Sequence, residues 1–446
     1  MPDRHLEVLL QLVANCGTIL SKDALIEAVW RDVAVTDNSL EQAISALRRV
    51  IGKGSDEAPG IQTVARQGYR FAGPVTRRAA RASDDALDEL LAPHRAWIEG
   101  RAAIETLEGD QIVRARRAFE RVLASAPDQA SAHVGLANAC ILQFEMTRTD
   151  AEPDAAALAM AAHHAREACR LGPDYAEAWA TLGFVLERIG HRVDALAASR
   201  RAITLEPDNW RHHFRLAYVS WGEERLRESH RTLSLMPAFP LAHWLAATVH
   251  VARQALGEAE REVVAGVAAA AVPVSKFSSV ALHWLHGLLL MARGEDAAAL
   301  ASFERELALE ASGHLYAREC CANTWYAIGA LHLRHAEIDR AGHAFHQAIQ
   351  RVPQHRLAFL ASRSAAPEIT AASSPRPESV DAAFIVAGAF VRSDDYVEAA
   401  RLVDDALASA PAGNAGWLLP IEPLLQVTAH PEVWASALAR LRTRAS

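Results

Sequence analysis

Between residues 37 and 51 the apolar side chains recur every three or four positions, which predicts an amphipathic α-helix. The residues of this apolar stripe are Leu40, Ile44, Leu47 and Ile51. At about 100° per residue, the opposite face of the helix carries polar side chains. These polar residues are Asn38, Gln42, Ser45 and Arg49. Asp37 or Thr36 can cap the start of the helix, and Gly52 favours its end.

Elements of other kinds flank this helix. Apolar segments at residues 6–13 and before Trp30 predict two further helices ahead of it. After it, Ile61–Val64 and Tyr69–Phe71 have the composition of two short strands, and the residues between them, which include Gly68, favour a turn. We therefore predict three helices followed by a β-hairpin with Arg66 at its tip.

Three segments in this order, Ile19–Trp30, Val35–Arg49 and Ile61–Phe71, resemble the OmpR-type winged helix-turn-helix DNA-binding domain. The resemblance implies that the helix over residues 40–51 reads the major groove of double-stranded DNA and that the hairpin, the wing, enters the minor groove. Polar side chains suit base edges, and cations suit the phosphate backbone. The candidate contacts are Gln42, Ser45 and Arg49 in the groove, Asn38, Arg48 and Lys53 at the backbone, and Arg66 at the wing.

Two features depart from that family, and the charge of the segment is low. The resemblance implies a β-sheet ahead of the first helix, but residues 1–5 lead almost directly into the apolar segment, so we expect this sheet to be missing. Ala65-Arg66 stands where many members have Arg-Gly, so the basic residue comes one position later. Residues 1–75 hold 8 Lys+Arg against 9 Asp+Glu. We therefore expect weak non-specific DNA binding with a modest salt dependence.

A second pattern repeats along the Ala- and Leu-rich remainder of the chain. Two copies of one motif have the same 28-residue distance from tryptophan to proline. The copies are Trp179, Leu182, Gly183, Leu186, Ala195, Ala202 and Pro207, and Trp325, Ile328, Gly329, His332, Ala341, Phe345, Ala348 and Pro353. Small residues let two helices approach closely, large residues fill the space between neighbours, and proline ends the second helix. This spacing resembles that of tetratricopeptide repeat (TPR) proteins.

Weaker copies extend the pattern to about eight repeats. The predicted fold is mainly α: a winged helix-turn-helix domain at residues 1–75, a polar linker at 76–90, and an α-helical TPR solenoid at 91–446. Residues 364–379 predict a loop, and residues 414–444, with Trp417 and Trp434, are expected to cap the end of the solenoid. The TPR resemblance implies a concave face that binds a protein, a peptide or a small effector.

Composition narrows the class of protein. The net charge is −8 and 51% of the residues are hydrophobic, which indicates a folded, mildly acidic protein. No apolar run approaches the roughly 18 residues that a membrane-spanning helix needs. The five cysteines are scattered and odd in number, which favours free thiols over a disulfide framework. We expect a cytoplasmic protein that does not contact a membrane.

Catalytic and metal-binding motifs are missing from the sequence. Three histidine pairs stand at i, i+3, where a helix could present both rings to one metal ion; they are His283/His286, His332/His335 and His343/His346. None has a partnering Cys or carboxylate at ligand spacing, so we predict no metal site. The chain has no P-loop, dinucleotide fingerprint or nucleophile-elbow motif. We therefore expect neither an enzyme nor a cofactor.

Two functions from different classes remain. The first is a DNA-binding transcriptional regulator whose TPR solenoid binds an effector or a partner. The second is a TPR scaffold or adaptor whose truncated winged helix no longer binds DNA. The polar face of the helix and Arg66 favour the first function, whereas the near-neutral charge and the expected loss of the sheet favour the second. A metal-dependent enzyme built on the histidine pairs is a third, weaker alternative.

Overall fold

The structure is a computed structural model that describes residues 3–30, 37–51, 60–65, 67–73, 75, 84–271, 277–364 and 379–446. The chain divides into two compact units, Met1–Asp88 and Glu89–Ser446. The described elements of the first unit are α1 Asp3–Ala14, α2 Lys22–Val29, α3 Asp37–Ile51, β1 Ile61–Val64 and β2 Gly68–Phe71. This order confirms the predicted three helices and hairpin.

The apolar stripe of α3 lies at the centre of the first unit. Leu40, Ile44 and Leu47 are at most 1% exposed, as the helical spacing predicts. Their neighbours in this core are Ala43 of α3 itself and residues in or next to the other described elements of the unit, namely Val8, Leu12, Leu25, Val29, Trp30, Ile61, Tyr69 and Phe71. Burial of apolar surface on this scale is the main force that holds three short helices and a hairpin together. The predicted caps Thr36 and Gly52 lie outside the described residues.

The hairpin is tied to the segment ahead of α2. β1 and β2 are antiparallel, with Ile61 opposite Phe71. The Leu20 N–H donates to the Tyr69 carbonyl oxygen at 2.9 Å, and the Tyr69 N–H donates back to Leu20 at 2.9 Å. Gly68, which the turn prediction placed outside the strand, is the first residue of β2 and has φ +134°. The pairing of Leu20 with Tyr69 extends the hairpin, and the spacing of residues along the sequence does not reveal this pairing.

Helices packed side by side in pairs build the second unit. Its α-helices are α4 Asp84–Glu105, α5 Gly109–Ser125, α6 Ala130–Thr147, α7 Ala155–Leu171, α8 Ala176–Ile189, α9 Arg192–Leu205, α10 Trp210–Val219, α11 Glu223–Leu235, α12 Pro240–Ala252, α13 Leu256–Ala270, α14 Leu282–Ala292, α15 Asp296–Ala308, α16 Ala317–Arg334, α17 Ile338–Arg351, α18 Arg356–Ser364, α19 Val380–Arg392, α20 Tyr396–Ser409 and α21 Ala435–Arg444. The pairs are α4/α5, α6/α7, α8/α9, α10/α11, α12/α13, α14/α15, α16/α17 and α19/α20. The mainly α fold with TPR-type pairs is therefore confirmed.

The predicted motif positions explain how closely the two helices of a pair approach. A Cβ atom built on Gly329 of α16 would lie 2.4 Å from the Phe345 ring of α17, and one on Gly183 of α8 would lie 2.3 Å from the Ser199 hydroxyl of α9. The alanines that follow, Ala195 and Ala341, are fully buried. Only small residues fit at these crossings, because larger ones would push the two helices apart.

One predicted boundary differs from the structure. The linker predicted at 76–90 is shorter, because α4 begins at Asp84. Residues 84–105 are rich in Ala, Leu and Glu, which favour a helix. In the loop predicted at 364–379, residues 365–378 lie outside the described residues.

All five cysteines are free thiols, and four of them are buried.

The second unit closes on itself through contacts between residues far apart in the sequence. The Leu315 N–H, just ahead of α16, donates to the Leu107 carbonyl oxygen at 2.8 Å, ahead of α5. Arg318 of α16 donates to the Asp150 carboxylate at 2.6 Å, after α6. The segment ahead of α16 and the first turn of that helix therefore pack against the segments that follow α4 and α6.

The C-terminal segment packs in the middle of the solenoid as well as at its end. The Trp417 ring contacts Trp244 of α12 and Trp284 of α14 edge to face, with centroids 6.2 and 6.4 Å apart. The Arg253 Nε donates to the Ala445 carbonyl oxygen at 2.8 Å. Capping of the end alone is therefore the wrong expectation, because the large apolar surface of Trp417 is covered by α12 and α14. Among the described helices, none is long and apolar enough to cross a bilayer.

Candidate nucleic-acid interface and a polar cavity

The polar face of α3 is open on the outside of the first unit. Gln42 and Ser45 are exposed, whereas Ala43 and Ile44 between them are buried in the core. The helix is anchored through its apolar stripe, so the two polar side chains stand on a rigid base one turn apart. Such a surface can present hydrogen-bonding groups to the edges of bases without rearrangement of the protein.

Arg48 faces the hairpin. Its Nε donates to the Ile61 carbonyl oxygen at 2.9 Å, and its Nη2 donates to the Thr63 hydroxyl at 2.7 Å. Both acceptors belong to β1, so the guanidinium joins the end of α3 to the first strand of the wing. The prediction assigned Arg48 to the DNA backbone, and the structure shows that the guanidinium also holds two elements of the interface together.

The other four predicted contacts cannot be placed as side chains. Asn38 and Arg49 lie within α3, so their backbone belongs to the helix, but their side chains lie outside the described residues. Lys53 and Arg66 lie outside the described residues altogether. Their roles in DNA binding stay predictions.

Several basic side chains of the first unit are held by neighbours. Lys22 of α2 pairs with Glu41 of α3 at 2.6 Å, and Arg70 of β2 donates to the Gln62 amide oxygen at 2.7 Å. The Lys22–Glu41 pair joins α2 to α3, and Glu41 directly precedes Gln42 in the sequence. Its partners are 19 residues apart, so local spacing could not reveal it.

A polar cavity of about 110 Å³ lies in the second unit, lined by residues of α4, α5, α6, α8 and α10 and by Tyr175. In its wall Arg215 donates to the Asn138 side-chain oxygen at 2.8 Å, and the Tyr175 hydroxyl donates to Glu177 at 3.0 Å. The Nη1 atom of Arg215 is buried and has no hydrogen-bond partner within the described residues. Burial lowers the pKa of Arg215 from its usual value. A buried donor without an acceptor is costly, and an anionic group in the cavity would satisfy it.

The two rings of the pair His332/His335 bond to separate partners. His332 bonds to Glu337 at 2.6 Å, whereas His335 bonds to Asp296 of α15 at 2.6 Å. Asp296 comes from a different helix, so the spacing of residues around the pair does not indicate it. Within the described ranges, no group of three metal-ligating residues includes a member of the three pairs.

Comparison with known proteins identifies the first unit. Residues 1–71 match the family described as "Transcriptional regulatory protein, C terminal". Over 75 residues the chain is 40% identical to the transcriptional regulator HilA of Salmonella typhimurium, a match that covers 17% of this chain and 13% of HilA. Over 73 residues it is 34% identical to the transcriptional activator CadC of Escherichia coli, which covers 16% of this chain and 14% of CadC. The chain thus matches about one seventh of the length of either relative.

Solved structures are similar over much more of the chain. A human IFIT1 dimer with m7Gppp-AAAA has a TM-score of 0.52 at 13% identity, covering 92% of this chain and 95% of that one. A tetratricopeptide repeat protein from Parabacteroides merdae covers 61% of this chain and 99% of its own, with a TM-score of 0.41 at 14% identity. At 13% identity, the match to the IFIT1 structure shows a shared fold alone. Residues 1–71 form a winged helix-turn-helix domain of the OmpR type, and the paired helices that follow have the TPR-type fold.

Proposed function

We propose that this chain is a DNA-binding transcriptional regulator. Its winged helix binds double-stranded DNA with α3 in the major groove and the hairpin in the minor groove, and its TPR unit binds a protein, a peptide or a small effector. The observation that carries the proposal is the exposed Gln42 and Ser45 on a helix anchored by its buried face, within the segment that matches transcriptional regulators. Because the first unit is nearly neutral, we expect its specificity for a DNA sequence to come from base contacts more than from bulk charge.

The candidate contacts take distinct roles in this proposal. Gln42, Ser45 and Arg49 read base edges, and Asn38 and Lys53 bind the phosphate backbone. Arg66 enters the minor groove at the tip of the wing. Arg48 acts as a positioning residue, because both of its hydrogen bonds fix β1 against α3.

The test is selection of binding sites by the full chain from a pool of random double-stranded DNA, repeated at two salt concentrations. We expect one motif to be enriched, with an affinity that falls as the salt concentration rises. Failure to enrich any sequence, by a protein with the circular dichroism of a folded chain, would refute the proposal. That outcome would favour the alternative function, a TPR scaffold whose winged helix does not bind DNA.

Substitution of Gln42 tests the reading of base edges. Gln42→Ala removes an exposed amide, so folding is unaffected, and we expect the affinity for the selected site to fall about 5- to 150-fold, which corresponds to about 1–3 kcal/mol for one good base contact. Thr18→Ala, at an exposed position between α1 and α2, is the matched control and leaves the affinity unchanged. Equal affinities of the two variants for the selected site would remove Gln42 from the interface.

Substitution of Arg48 separates positioning from phosphate binding. If Arg48 acts through β1, Arg48→Ala weakens binding to the selected site while the dependence of affinity on salt concentration stays the same. If Arg48 binds a phosphate, the slope of log affinity against log salt falls by about one unit. Measured slopes for the wild-type chain and the variant therefore decide between the two roles.

For the TPR unit, the polar cavity favours a small anionic effector. The buried Nη1 of Arg215 supplies a donor without an acceptor, and the cavity of about 110 Å³ accommodates a carboxylate-sized group. The test is a thermal-shift screen of mono- and dicarboxylic acids against the full chain and the Arg215→Gln variant. A compound that stabilises the wild-type chain alone supports this site, and stabilisation of both chains to the same extent contradicts it.

A further inference from the structure

Three metal-ligating side chains from three different helices meet in the second unit. They are His230 of α11, His250 of α12 and Glu262 of α13. One nitrogen or oxygen atom from each lies within 4.8 Å of the other two. The three helices belong to two successive pairs, so the cluster spans the junction between neighbouring repeats.

A fourth residue holds the carboxylate in place. The Nδ1 atom of His243 lies 2.7 Å from Glu262 Oε2, and His230 Nε2 lies 2.9 Å from Glu262 Oε1. His243 and His250 are seven residues apart on α12, so they lie two turns apart on the same face of that helix. Burial alone would raise the pKa of Glu262, but the hydrogen bonds from His230 and His243 lower it to about 2.

His250 is the member of the cluster that ion pairing does not explain. Glu262 already has its two histidine partners, and no described residue forms a hydrogen bond with the partly buried His250 ring. One of its ring nitrogens nevertheless lies within 4.8 Å of ligand atoms of both His230 and Glu262. A neutral imidazole beside a carboxylate and a second imidazole is the donor set that Zn²⁺ prefers.

We propose that His230, His250 and Glu262 bind a divalent transition-metal ion, with Zn²⁺ as the best fit, and that His243 orients the Glu262 carboxylate. Bonds of roughly 2.0–2.2 Å in a tetrahedral arrangement bring ligand atoms to roughly 3.5 Å of one another. Closure from the present separation requires rotation of the side chains, and His230 is half exposed. Three protein ligands leave a fourth position for water or an exogenous ligand.

The metal ion would join α11, α12 and α13 and so stabilise the junction of two repeats. Binding to the folded state alone raises the stability of that state in proportion to the logarithm of the metal concentration. The site is independent of the DNA interface, and its test does not depend on DNA binding.

The test uses the full chain without an affinity tag, stripped with a chelator and titrated with Co²⁺ and Zn²⁺. We expect one equivalent of Zn²⁺ to remain after dialysis, the visible absorption of tetrahedral Co²⁺, and a higher melting temperature with Zn²⁺. His250→Ala and Glu262→Gln are expected to weaken binding at least 100-fold, and His243→Ala about 10- to 100-fold, as is usual for an outer residue that orients a ligand.

Two further variants keep the result interpretable. His230→Ala changes a half-exposed side chain, so it remains folded and tests the site if the variants at buried positions unfold. His346→Ala removes one ring of a histidine pair on α17 and is the matched control, which should bind metal as the wild-type chain does. A folded wild-type chain that retains no metal would overturn the proposal. Equal binding by His230→Ala, His250→Ala and the wild type would also overturn it, because the ion would then be bound elsewhere.

Discussion

Gly68 is the position where one added methyl group should separate the wing from the rest of the first unit. Its φ of +134° is a conformation that L residues rarely adopt, and a Cβ atom there would lie 2.0 Å from the Leu20 carbonyl oxygen. That oxygen accepts the hydrogen bond from the Tyr69 N–H. In Gly68→Ala the backbone must change conformation, and Leu20 must move away from β2.

The size of the effect follows from two contributions. An alanine held in a sparsely populated backbone conformation costs about 1–3 kcal/mol. Loss of the two reciprocal hydrogen bonds between Leu20 and Tyr69 costs a further 1–3 kcal/mol, at about 0.5–1.5 kcal/mol for each bond. We therefore expect Gly68→Ala to destabilise this part of the fold by about 2–6 kcal/mol, a large fraction of the stability of a small unit.

Gly17 provides a matched control in the same unit. It also has a positive φ, +83°, but a Cβ atom there meets nothing within 4 Å. Gly17→Ala therefore carries the conformational cost of about 1–2 kcal/mol without a steric overlap. Its own N–H, which donates to the Phe71 carbonyl oxygen at 3.0 Å, is retained in alanine.

Native-state hydrogen exchange of the full chain measures the effect locally, because the Leu20 and Tyr69 amides are protected by the bonds in question. We expect these amides to exchange about 5- to 150-fold faster in Gly68→Ala than in Gly17→Ala, because the two variants differ by about 1–3 kcal/mol, the cost of the lost hydrogen bonds, and about 1.4 kcal/mol corresponds to a factor of ten. We also expect weaker binding to the selected DNA site in Gly68→Ala. Exchange rates within threefold of each other in the two variants would refute the reasoning, because the contact with Leu20 would then carry no weight.

Three further predictions concern the second unit. Gly329→Ala should lower the stability by about 1–3 kcal/mol, and with it the melting temperature, because its Cβ atom would overlap the Phe345 ring. Gly342→Ala has open space around it and should raise the melting temperature slightly, because alanine favours a helix more than glycine does. A change of the same sign in both variants would contradict the packing argument. Burial raises the pKa of Glu306 from its ordinary value of 4.5 to about 7. Its contribution to stability is therefore full below about pH 4.5 and is lost as the pH rises through about 7. Melting temperatures measured from pH 4.5 to 7.5 should vary less with pH in Glu306→Gln than in the wild type, and an unchanged pH profile would exclude Glu306 as the source of that pH dependence. Trp417→Ala should expose residues 411–426 to limited proteolysis, because two ring contacts and an apolar surface are lost; a cleavage pattern identical to that of the wild type would show that the segment is held without Trp417.

The candidate DNA interface shows how far local patterns reach. The exposure of Gln42 and Ser45 and the burial of Leu40 and Leu47 were predictable, because helical periodicity alone decides which side chains share a face. The direction of Arg48 was not predictable. Its partners lie on β1, and whether a long side chain turns to solvent or to a strand depends on how the hairpin packs against α3.

The polar clusters of the second unit show a similar limit. The sequence singled out histidine pairs at i, i+3, but the two rings of His332/His335 bond to two different carboxylates. The positions of His230, His250 and Glu262 in the sequence follow no regular spacing. These side chains come together only because α11, α12 and α13 pack side by side. Side chains on three helices meet at distances that depend on the crossing of those helices, which no local pattern encodes.

Local patterns in the sequence are enough to predict the helices, the hairpin and the repeat. Their signals, such as the stripe ending at Ile51 and the small residues at Gly183 and Gly329, are local and repeat at short intervals. Packing in three dimensions sets the pairing of Leu20 with Tyr69, the closure of the second unit through Leu315 and Arg318, and the docking of Trp417 on α12 and α14. The contacts of the second unit join segments up to about two hundred residues apart, because each helix pair adds a small rotation that accumulates along the solenoid.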